Sequence, residues 1–253
     1  MANATERPST IDEAEVARFA ALADHWWNAR GPMAPLHRFN PVRIAFIRDR
    51  ACAQFGRDPK SLDSLAGLDI LDVGCGGGLL AEPLARLGGR VVGIDPAIEN
   101  AAAARLHAER GGLDIDYRAT TVEDMADSGR RFDIVIASEV VEHVADLGLF
   151  VQRAADCVKP GGLLFVTTIN RTLKSFALAI VGAEYVLRWL PVGTHRWEKL
   201  VTPEELNAAF AAARLHVVDE AGIVYHLPSG EWRRSKDMDV NYAVAAEKRI
   251  VLA

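Results

Sequence analysis

Cysteine is scarce in this chain of 253 residues, and its three copies form no recognisable motif. Cys52, Cys75 and Cys157 lie far apart without CxxC spacing, so the sequence predicts neither a disulfide framework nor a zinc site. Long apolar segments are also missing, since no run of about 18 uncharged apolar residues is present to span a membrane. Residues 1–10 are polar and lack the apolar segment of a signal peptide. These absences together predict a cytoplasmic protein.

An excess of positive charge is absent as well. Lysine and arginine number 29 against 34 aspartate and glutamate residues, which gives a formal net charge of −5. Such a chain has no general polybasic surface, so we expect no nucleic-acid partner. Apolar residues, in contrast, make up 50% of the chain and suffice for one sizeable core.

From Leu68 onward, short apolar runs alternate with helical stretches. Five runs are predicted to be strands, at residues 69–73, 90–94, 114–118, 132–137 and 162–168. Their spacing leaves room for a crossover helix between most of them, which is typical of a parallel, doubly wound sheet. Two further runs, 215–224 and 240–246, have no long helix between them and are expected to pair antiparallel. The sequence thus predicts an α/β, Rossmann-like fold with seven strands, helices on both faces and a C-terminal antiparallel hairpin.

The chain is predicted to divide into a helical extension or lid, residues 1–62, and a sheet domain, residues 63–253, with a helical insertion at about 170–200. In the extension, residues 11–29 suit an amphipathic helix, and a second helix follows a loop rich in helix breakers. Trp26 and Trp27 either cover the site as part of a lid or anchor the core, because large aromatic side chains often bury for packing alone.

The strongest local signal is the glycine loop after the first predicted strand. Residues 71–78 read LDVGCGGG, and a helix is expected directly behind them. Glycines let the backbone turn tightly and approach a ligand, and a helix N-terminus offers N–H groups and a partial positive charge. The next strand ends on Asp95, where a carboxylate can accept both hydroxyls of a ribose. The loop and this acid together predict a nucleotide pocket, whereas the loop alone is compatible with a tight turn that binds nothing.

The residue that follows the glycines separates two classes of nucleotide cofactor. In the dinucleotide fingerprint Gly-x-Gly-x-x-Gly, Leu79 stands where a glycine or alanine would permit close packing of helix on strand, which argues against a nicotinamide-dependent reductase. The loop resembles instead the Asp-x-Gly-x-Gly-x-Gly pattern of S-adenosylmethionine-dependent methyltransferases. The matching positions are Asp72, Gly74, Gly76 and Gly78. This resemblance places Glu123 and Asp124 beside the adenine, although a solvated helix start explains these two acids equally well.

An acid–histidine cluster follows the fourth predicted strand. The spacing of Glu139, Glu142 and His143 places all three on one face if the segment is helical. Two carboxylates and an imidazole could then hold Mg²⁺ against the two adjacent ring oxygens of a catechol-like acceptor. Alternatively, His143 alone acts as a general base, or the cluster is a helix cap with a structural histidine. A scaffold that has kept the fold without catalysis is disfavoured by the presence of all three residues.

Several longer segments carry a narrower resemblance. These segments are Pro35–Arg43 (PLHRFNPVR), Glu139–Val144 (EVVEHV), Thr168–Arg171 (TINR), Gly182–Tyr185 (GAEY), Pro191–His195 (PVGTH) and Asp239–Tyr242 (DVNY). With the glycine loop they make the chain, from about residue 11 to 247, similar to the ubiquinone-biosynthesis O-methyltransferase family of class I methyltransferases. The glycine loop and the EHV segment are shared with many small-molecule methyltransferases. The segment that begins at Pro35 and the stretch from Asn170 to His195 are much narrower, and they decide the family.

The resemblance implies S-adenosylmethionine-dependent methylation of phenolic hydroxyls on polyprenylated ring intermediates, at both O-methylation steps of the pathway. The alternative is an O-methyltransferase of another small catechol-like acceptor. By the same resemblance, Arg43, Gly74, Asp95 and Ser138 are expected to touch the cofactor. A protein complex of quinone biosynthesis is a further expected partner.

Because the implied acceptor lives in a bilayer, residues 171–190 are the expected docking segment. As a helix, this segment gathers Arg171, Lys174, Glu184 and Arg188 on one side and leaves a broad apolar remainder. Such a helix can lie in the membrane interface, although an ordinary core helix explains the same pattern. If the helix lies in the interface, the protein is predicted to bind peripherally to the inner face of the membrane.

Overall fold

The computed structural model describes residues 8–178 and 197–250, and this part of the chain is organised around one mixed sheet. Its strands are β1 (Asp69–Val73), β2 (Arg90–Asp95), β3 (Asp116–Ala119), β4 (Phe132–Ser138), β5 (Val158–Ile169), β6 (Leu215–His226), β7 (Glu231–Ser235) and β8 (Asn241–Lys248). The spatial order is β3-β2-β1-β4-β5-β8-β6-β7. Strands β1 to β5 are parallel, and β8 joins β5 antiparallel.

The helices alternate with the parallel strands, as the spacing predicts. They are α1 (Glu13–Ala20), α2 (Ala34–Phe55), α3 (Ala81–Arg86), α4 (Ile98–Arg110), α5 (Val122–Asp127), α6 (Leu147–Asp156), α7 (Leu173–Ser175) and α8 (Pro203–Ala212). Helix α8 begins with Thr202 as its N-cap and Glu205 in a reciprocal capping box, the arrangement that stabilises helix starts.

Two apolar layers, one on each face of the sheet, hold the fold together. On one face, α2, α3 and α4 pack through residues such as Phe46 and Leu84. On the other face, α5, α6 and α8 pack through residues such as Phe150 and Phe210. Strand residues alternate between the layers, because successive side chains of a strand point to opposite faces. The predicted α/β sheet with helices on both faces is therefore confirmed.

Within residues 8–178 and 197–250 the sheet has eight strands, one more than the seven predicted. β7 was missed because its sequence, EWRRS, contains charged residues where a core strand would have apolar ones. It pairs only with β6, at the edge of the sheet, where backbone hydrogen bonds suffice and only Trp232 needs to face apolar neighbours. The predicted antiparallel pairing of the last two apolar runs is confirmed as β6 with β8.

The N-terminal helices differ from the prediction in extent. The single helix expected over residues 11–29 ends at Ala20 and is followed by a short 3-10 helix, Ala23–His25. Helix α2 belongs to the main core, since Phe46 packs edge-on against Phe165 of β5 with ring centroids 5.9 Å apart. The division of the chain at residue 62 stays a prediction.

The predicted docking segment, residues 171–190, lies largely outside the described residues, which resume at Trp197. The described part contains α7, whose N-cap Thr172 forms a capping box with Ser175. Among the described residues, no helix is long and apolar enough to cross a membrane.

Candidate active site

A cavity of about 880 Å³ opens at the carboxyl ends of β1, β2 and β4. Parallel strands place their following loops at one edge of the sheet, which is where α/β proteins bind ligands. Eight of the residues predicted for the site line this cavity: Arg43, Asp72, Gly74, Asp95, Ser138, Glu139, Glu142 and His143. The structure therefore brings together residues from α2, β1, β2 and β4 that are distant in sequence.

The glycines of the loop leave space for the protein's own side chains as well as for a ligand. Gly74 adopts a left-handed φ of 68°, and a Cβ there would lie 2.6 Å from Val140. A Cβ on Gly76 would lie 2.4 Å from the indole of Trp26, and one on Gly78 would lie 2.2 Å from the hydroxyl of Tyr117. Only Gly74 of the three predicted cofactor-binding glycines lines the cavity. Gly76 and Gly78 are thus required by packing.

Asp95 is held in place by backbone N–H groups at the end of β2. Its carboxylate accepts from the N–H of Gly76 at 3.0 Å and from that of Ala97 at 2.9 Å. It also accepts from Asn100, whose Oδ1 receives the indole N–H of Trp26 at 2.8 Å. Burial raises the pKa of Asp95, and these donors partly offset the rise. The contacts fix the carboxylate on the cavity wall.

Arg43 ties helix α2 to the end of β4. Its guanidinium donates to the hydroxyl of Ser138 at 2.7 Å and also to Asn40. Ser138 is in turn 2.7 Å from the hydroxyl of Thr167, which donates to Glu139 at 2.8 Å. This chain of hydrogen bonds crosses the floor of the cavity and orients the first acid of the predicted cluster.

Arg43 and Asp72 form a buried pair of opposite charges on the cavity wall. Arg43 Nε and Asp72 Oδ2 have no hydrogen-bond partner among the residues that the structure describes. Burial raises the pKa of Asp72 to about 7, and the Arg43 guanidinium limits that rise. Buried polar groups are normally satisfied, so these two atoms mark places where a ligand's polar groups would bind. A neighbouring cation and anion suit the carboxylate and ammonium of an amino-acid moiety.

The two acids predicted beside an adenine do not line the cavity, and the segment 120–122 lines it in their place. Glu123 accepts instead from the N–H of Thr10 at 2.7 Å. Asp124 accepts from the hydroxyl of Thr120 at 3.4 Å and lies in the first turn of α5.

The acid–histidine segment is a turn and not a helix. Glu139 has a left-handed φ of 56°, unusual for a residue other than glycine, and it directs the chain away from β4. Glu142 accepts from the hydroxyl of Thr168 at 2.8 Å, while its other oxygen has no hydrogen-bond partner in the described structure. Burial and then the nearby Glu139 raise the pKa of Glu142 to about 8.

His143 turns towards the N-terminal helix. Its Nδ1 lies 3.1 Å from the carboxylate of Glu15, and both side chains are mostly buried. The single helix face assumed for a metal site is therefore not formed, and no group of three or more His, Cys, Asp or Glu side chains in the described residues is arranged to hold a metal ion.

Sequence reasoning missed Glu15, Asn100 and Thr167, although each contacts a predicted site residue. Glu15 carries a weak signal, since Glu15 and Phe19 share one face of α1 by their i, i+4 spacing, and both contact His143. Asn100 and Thr167 lie within ordinary helix and strand patterns and carry no signal of their own.

Comparison with known proteins gives two kinds of match. A family model described as a methyltransferase domain matches residues 37–220. A ubiquinone biosynthesis O-methyltransferase from Chelativorans sp. (strain BNC1) is 59% identical over 96% of this chain and 96% of its own length. The protein of the same name from Mesorhizobium japonicum is 58% identical over 96% and 97%.

Solved structures of lower identity share the fold. A magnesium protoporphyrin IX methyltransferase from Synechocystis PCC 6803, with bound SAH, aligns with a TM-score of 0.66 at 16% identity, over 94% of this chain and all of its own. A methyltransferase from Thermotoga maritima, described as a possible histamine N-methyltransferase, aligns with a TM-score of 0.60 at 18% identity, over 93% of this chain and 99% of its own.

Proposed function

This chain belongs to the family of ubiquinone biosynthesis O-methyltransferases, and on that premise we propose that it methylates phenolic hydroxyls of polyprenylated ring intermediates, at both O-methylation steps. The observation that carries the proposal is that Gly74 and Asp95, which suit a nucleotide, line the same cavity as the acid–histidine turn. A cofactor and an acceptor can lie in contact there.

S-adenosylmethionine supplies an electrophilic methyl group when bound. Asp95 suits the ribose hydroxyls, because a carboxylate at the end of the second strand can accept both of them. The buried Arg43 and Asp72 suit the methionyl carboxylate and ammonium, since each has an unsatisfied polar atom in the described structure. Ser138, oriented by Arg43, completes this wall.

The acceptor hydroxyl must lose its proton, because a phenol has a pKa of about 10 and its neutral form is a weak nucleophile. His143 lines the cavity and is the side chain suited to receive that proton, since the pKa of an imidazole lies close to neutral pH. Its side chain is mostly buried between α1 and the turn. The alternative acceptor is another small catechol-like ring, which would lose its phenolic proton in the same way.

A magnesium-assisted reaction is the alternative route for the proton. In its favour, Glu142 has a buried oxygen without a hydrogen-bond partner in the described structure, beside a second carboxylate, Glu139. Against it, His143 is engaged by Glu15. Enzyme stripped with EDTA decides between the routes: a full rate without metal, lost in His143→Ala, supports the base, whereas activity restored only by Mg²⁺ supports the metal.

We extend the proposal to the membrane, because a long prenyl chain keeps the acceptor there. Exposed apolar side chains at Leu178 and Leu227 line the cavity and reach the surface, which suits entry of such a chain from a lipid phase. The enzyme is thus proposed to bind the inner face of the membrane peripherally, with residues 171–190 as the docking segment, and to meet a quinone-biosynthesis complex there. Flotation with anionic liposomes tests this, since unchanged binding after deletion of 171–190 would contradict it.

The activity itself is tested by incubation with S-adenosylmethionine and a prenylated catechol. We expect the acceptor to gain the mass of one CH₂ group, and Asp95→Ala to abolish this gain by loss of cofactor binding. A protein that binds S-adenosylmethionine but leaves every ortho-dihydroxy ring unchanged would overturn the proposed acceptor.

A further inference from the structure

Asn100 of helix α4 joins the carboxylate of Asp95 to the indole of Trp26. Its Nδ2 donates to Asp95 Oδ1 at 3.2 Å, and its Oδ1 accepts from Trp26 Nε1 at 2.8 Å. An indole N–H can only donate, so Oδ1 must face Trp26 and the amide nitrogen must face Asp95. Asn100 is only 1% exposed, and both ends of its amide are therefore used inside the protein.

Trp26 is itself held against the glycine loop. Its side chain fills the space in which a Cβ on Gly76 or Gly77 would lie, 2.4 Å and 2.3 Å from the nearest Trp26 atoms. Its backbone carbonyl lies 2.8 Å from Nε2 of His37 in α2. The neighbouring Trp27 donates its indole N–H to the carbonyl of Gly77 at 2.8 Å. The segment between α1 and α2 is thus attached to the glycine loop through two consecutive tryptophans.

Trp26, Asn100 and Asp95 all line the cavity, so this chain of hydrogen bonds lies beside the proposed cofactor. Asp95 has two further donors, the backbone N–H groups of Gly76 and Ala97. A side-chain substitution leaves these backbone donors in place but removes the amide of Asn100. Removal of that amide also leaves the indole N–H of Trp26 without its acceptor, and a buried polar group without a partner is costly.

We propose that Asn100 is a positioning residue for cofactor binding: it holds the Asp95 carboxylate towards the ribose hydroxyls and makes that orientation depend on Trp26. The inference rests on the proposed function, in which Asp95 binds the ribose of S-adenosylmethionine. A buried network of hydrogen bonds is rigid when every member is satisfied, and the loss of one member affects the others. The segment that carries Trp26 then contributes to cofactor affinity through Asn100.

Calorimetric titration with two ligands tests this: S-adenosylhomocysteine, and an analogue of it that lacks both ribose hydroxyls. We expect Asn100→Ala to weaken binding of S-adenosylhomocysteine about five- to tenfold, because a hydrogen bond to a charged group is lost. Trp26→Phe keeps a ring against the glycines but removes the indole N–H, and it should weaken binding about two- to threefold. Glu99→Ala, which removes an exposed carboxylate from the same first turn of α4, is the matched control and should bind as the wild type does.

The second ligand separates positioning from a general disturbance of the fold. The affinity for the analogue should change less than about twofold in Asn100→Ala and Trp26→Phe, because this ligand has no hydroxyls for Asp95 to accept from. A loss of the same factor for both ligands, or no loss for either, would refute the inference. If Asn100→Ala does not fold, an unchanged ratio of the two affinities in Trp26→Phe refutes it equally.

The double variant Asn100→Ala/Trp26→Phe tests whether Trp26 acts through Asn100. It should bind S-adenosylhomocysteine no more weakly than Asn100→Ala does, whereas strictly additive losses would contradict the dependence on Trp26. Asp95→Ala distinguishes this inference from the proposed function. Wild-type affinity in Asp95→Ala contradicts the proposed cofactor site, whereas lost affinity there beside wild-type affinity in Asn100→Ala contradicts the role of Asn100 alone.

Discussion

The guanidinium of Arg43 donates to the hydroxyl of Ser138 over 2.7 Å, although 95 positions separate the two residues. This contact joins the N-terminal helix α2 to the end of β4 and continues through Thr167 to Glu139. Arg43 and Ser138, which are proposed to bind the cofactor, are therefore joined to the acid–histidine turn by one chain of hydrogen bonds. A change in Arg43 should affect cofactor binding and catalysis together.

Arg43→Lys should weaken S-adenosylmethionine binding about 10-fold or more. Lysine keeps the charge but lacks the planar fork with which Arg43 donates to Ser138 and Asn40 from separate nitrogens, so its compact ammonium cannot reproduce these contacts and also reach the cofactor. Isothermal titration measures the affinity directly. Arg38→Lys, an exposed position of the same helix, is the control and should bind as the wild type does; equal affinities for both variants would remove Arg43 from the cofactor wall.

Gly76→Ala should destabilise the protein by about 2 to 4 kcal/mol, through a left-handed φ and through overlap with the Trp26 ring. In a Trp26→Ala background the ring is gone, so only the backbone strain of about 1 to 2 kcal/mol should remain. Urea denaturation of the wild type, the two single variants and the double variant gives the coupling free energy between Gly76 and Trp26. Gly129→Ala, with a positive φ and open space around it, measures the strain alone. Strictly additive losses would mean that Trp26 does not occupy this position in solution.

Asp72→Asn should make the apoprotein more stable at high pH. The pKa of Asp72 is raised to about 7 in the folded state, above its unfolded value, so the folded protein retains a proton that the unfolded chain releases. The free energy of unfolding of the wild type consequently falls as the pH rises from about 4 to about 7. The asparagine variant does not titrate and does not show this fall. We expect its advantage over the wild type to be about 1 to 3 kcal/mol larger at pH 8 than at pH 4 in chemical denaturation.

Asp69→Asn on the same strand provides a control of opposite sign. Although burial opposes it, the ion pairs with Lys159 and Arg90 lower the pKa of Asp69, so this carboxylate stabilises the fold above its unfolded pKa and loses that effect as the pH falls through its folded pKa. The asparagine variant should be slightly less stable at pH 8, by up to about 1 kcal/mol, and equal to the wild type in strong acid. The same pH trend in both variants would contradict the burial argument for Asp72.

Leu227→Ser should raise the KM for a long-chain prenylated acceptor by about three- to tenfold, since a leucine contact with an apolar chain contributes on the order of 1 kcal/mol. Leu227 is 82% exposed and lines the cavity, so a prenyl chain is the apolar surface that would cover it. Steady-state assays with long-chain and truncated acceptors measure the effect, which the truncated acceptor should not show. Leu62→Ser, equally exposed but away from the cavity, is the control. A rise in KM for both acceptors would place Leu227 outside the path of the prenyl chain.

The sequence by itself determined most of the sheet and predicted Gly74 and Asp95, which line the cavity. The apolar runs and their spacing indicated the parallel strands, and the glycine loop followed by Asp95 predicted a nucleotide pocket at the edge of the sheet where the cavity opens. These signals are local: a strand shows its period of two, and a left-handed turn requires glycine within a few residues. The edge strand β7 gave no such signal, because backbone pairing at an edge does not require an apolar pattern.

Only the tertiary structure decided how the glycines and the histidine are used. Gly76 is needed because Trp26 lies against it. His143 lies 3.1 Å from Glu15 of α1, in a segment that is a turn and not the helix that its spacing allowed. Each contact joins a residue of the first 26 positions to a loop or turn that follows a strand of the sheet. Contacts of this kind depend on where the chain places whole elements, and no periodicity within either segment records them.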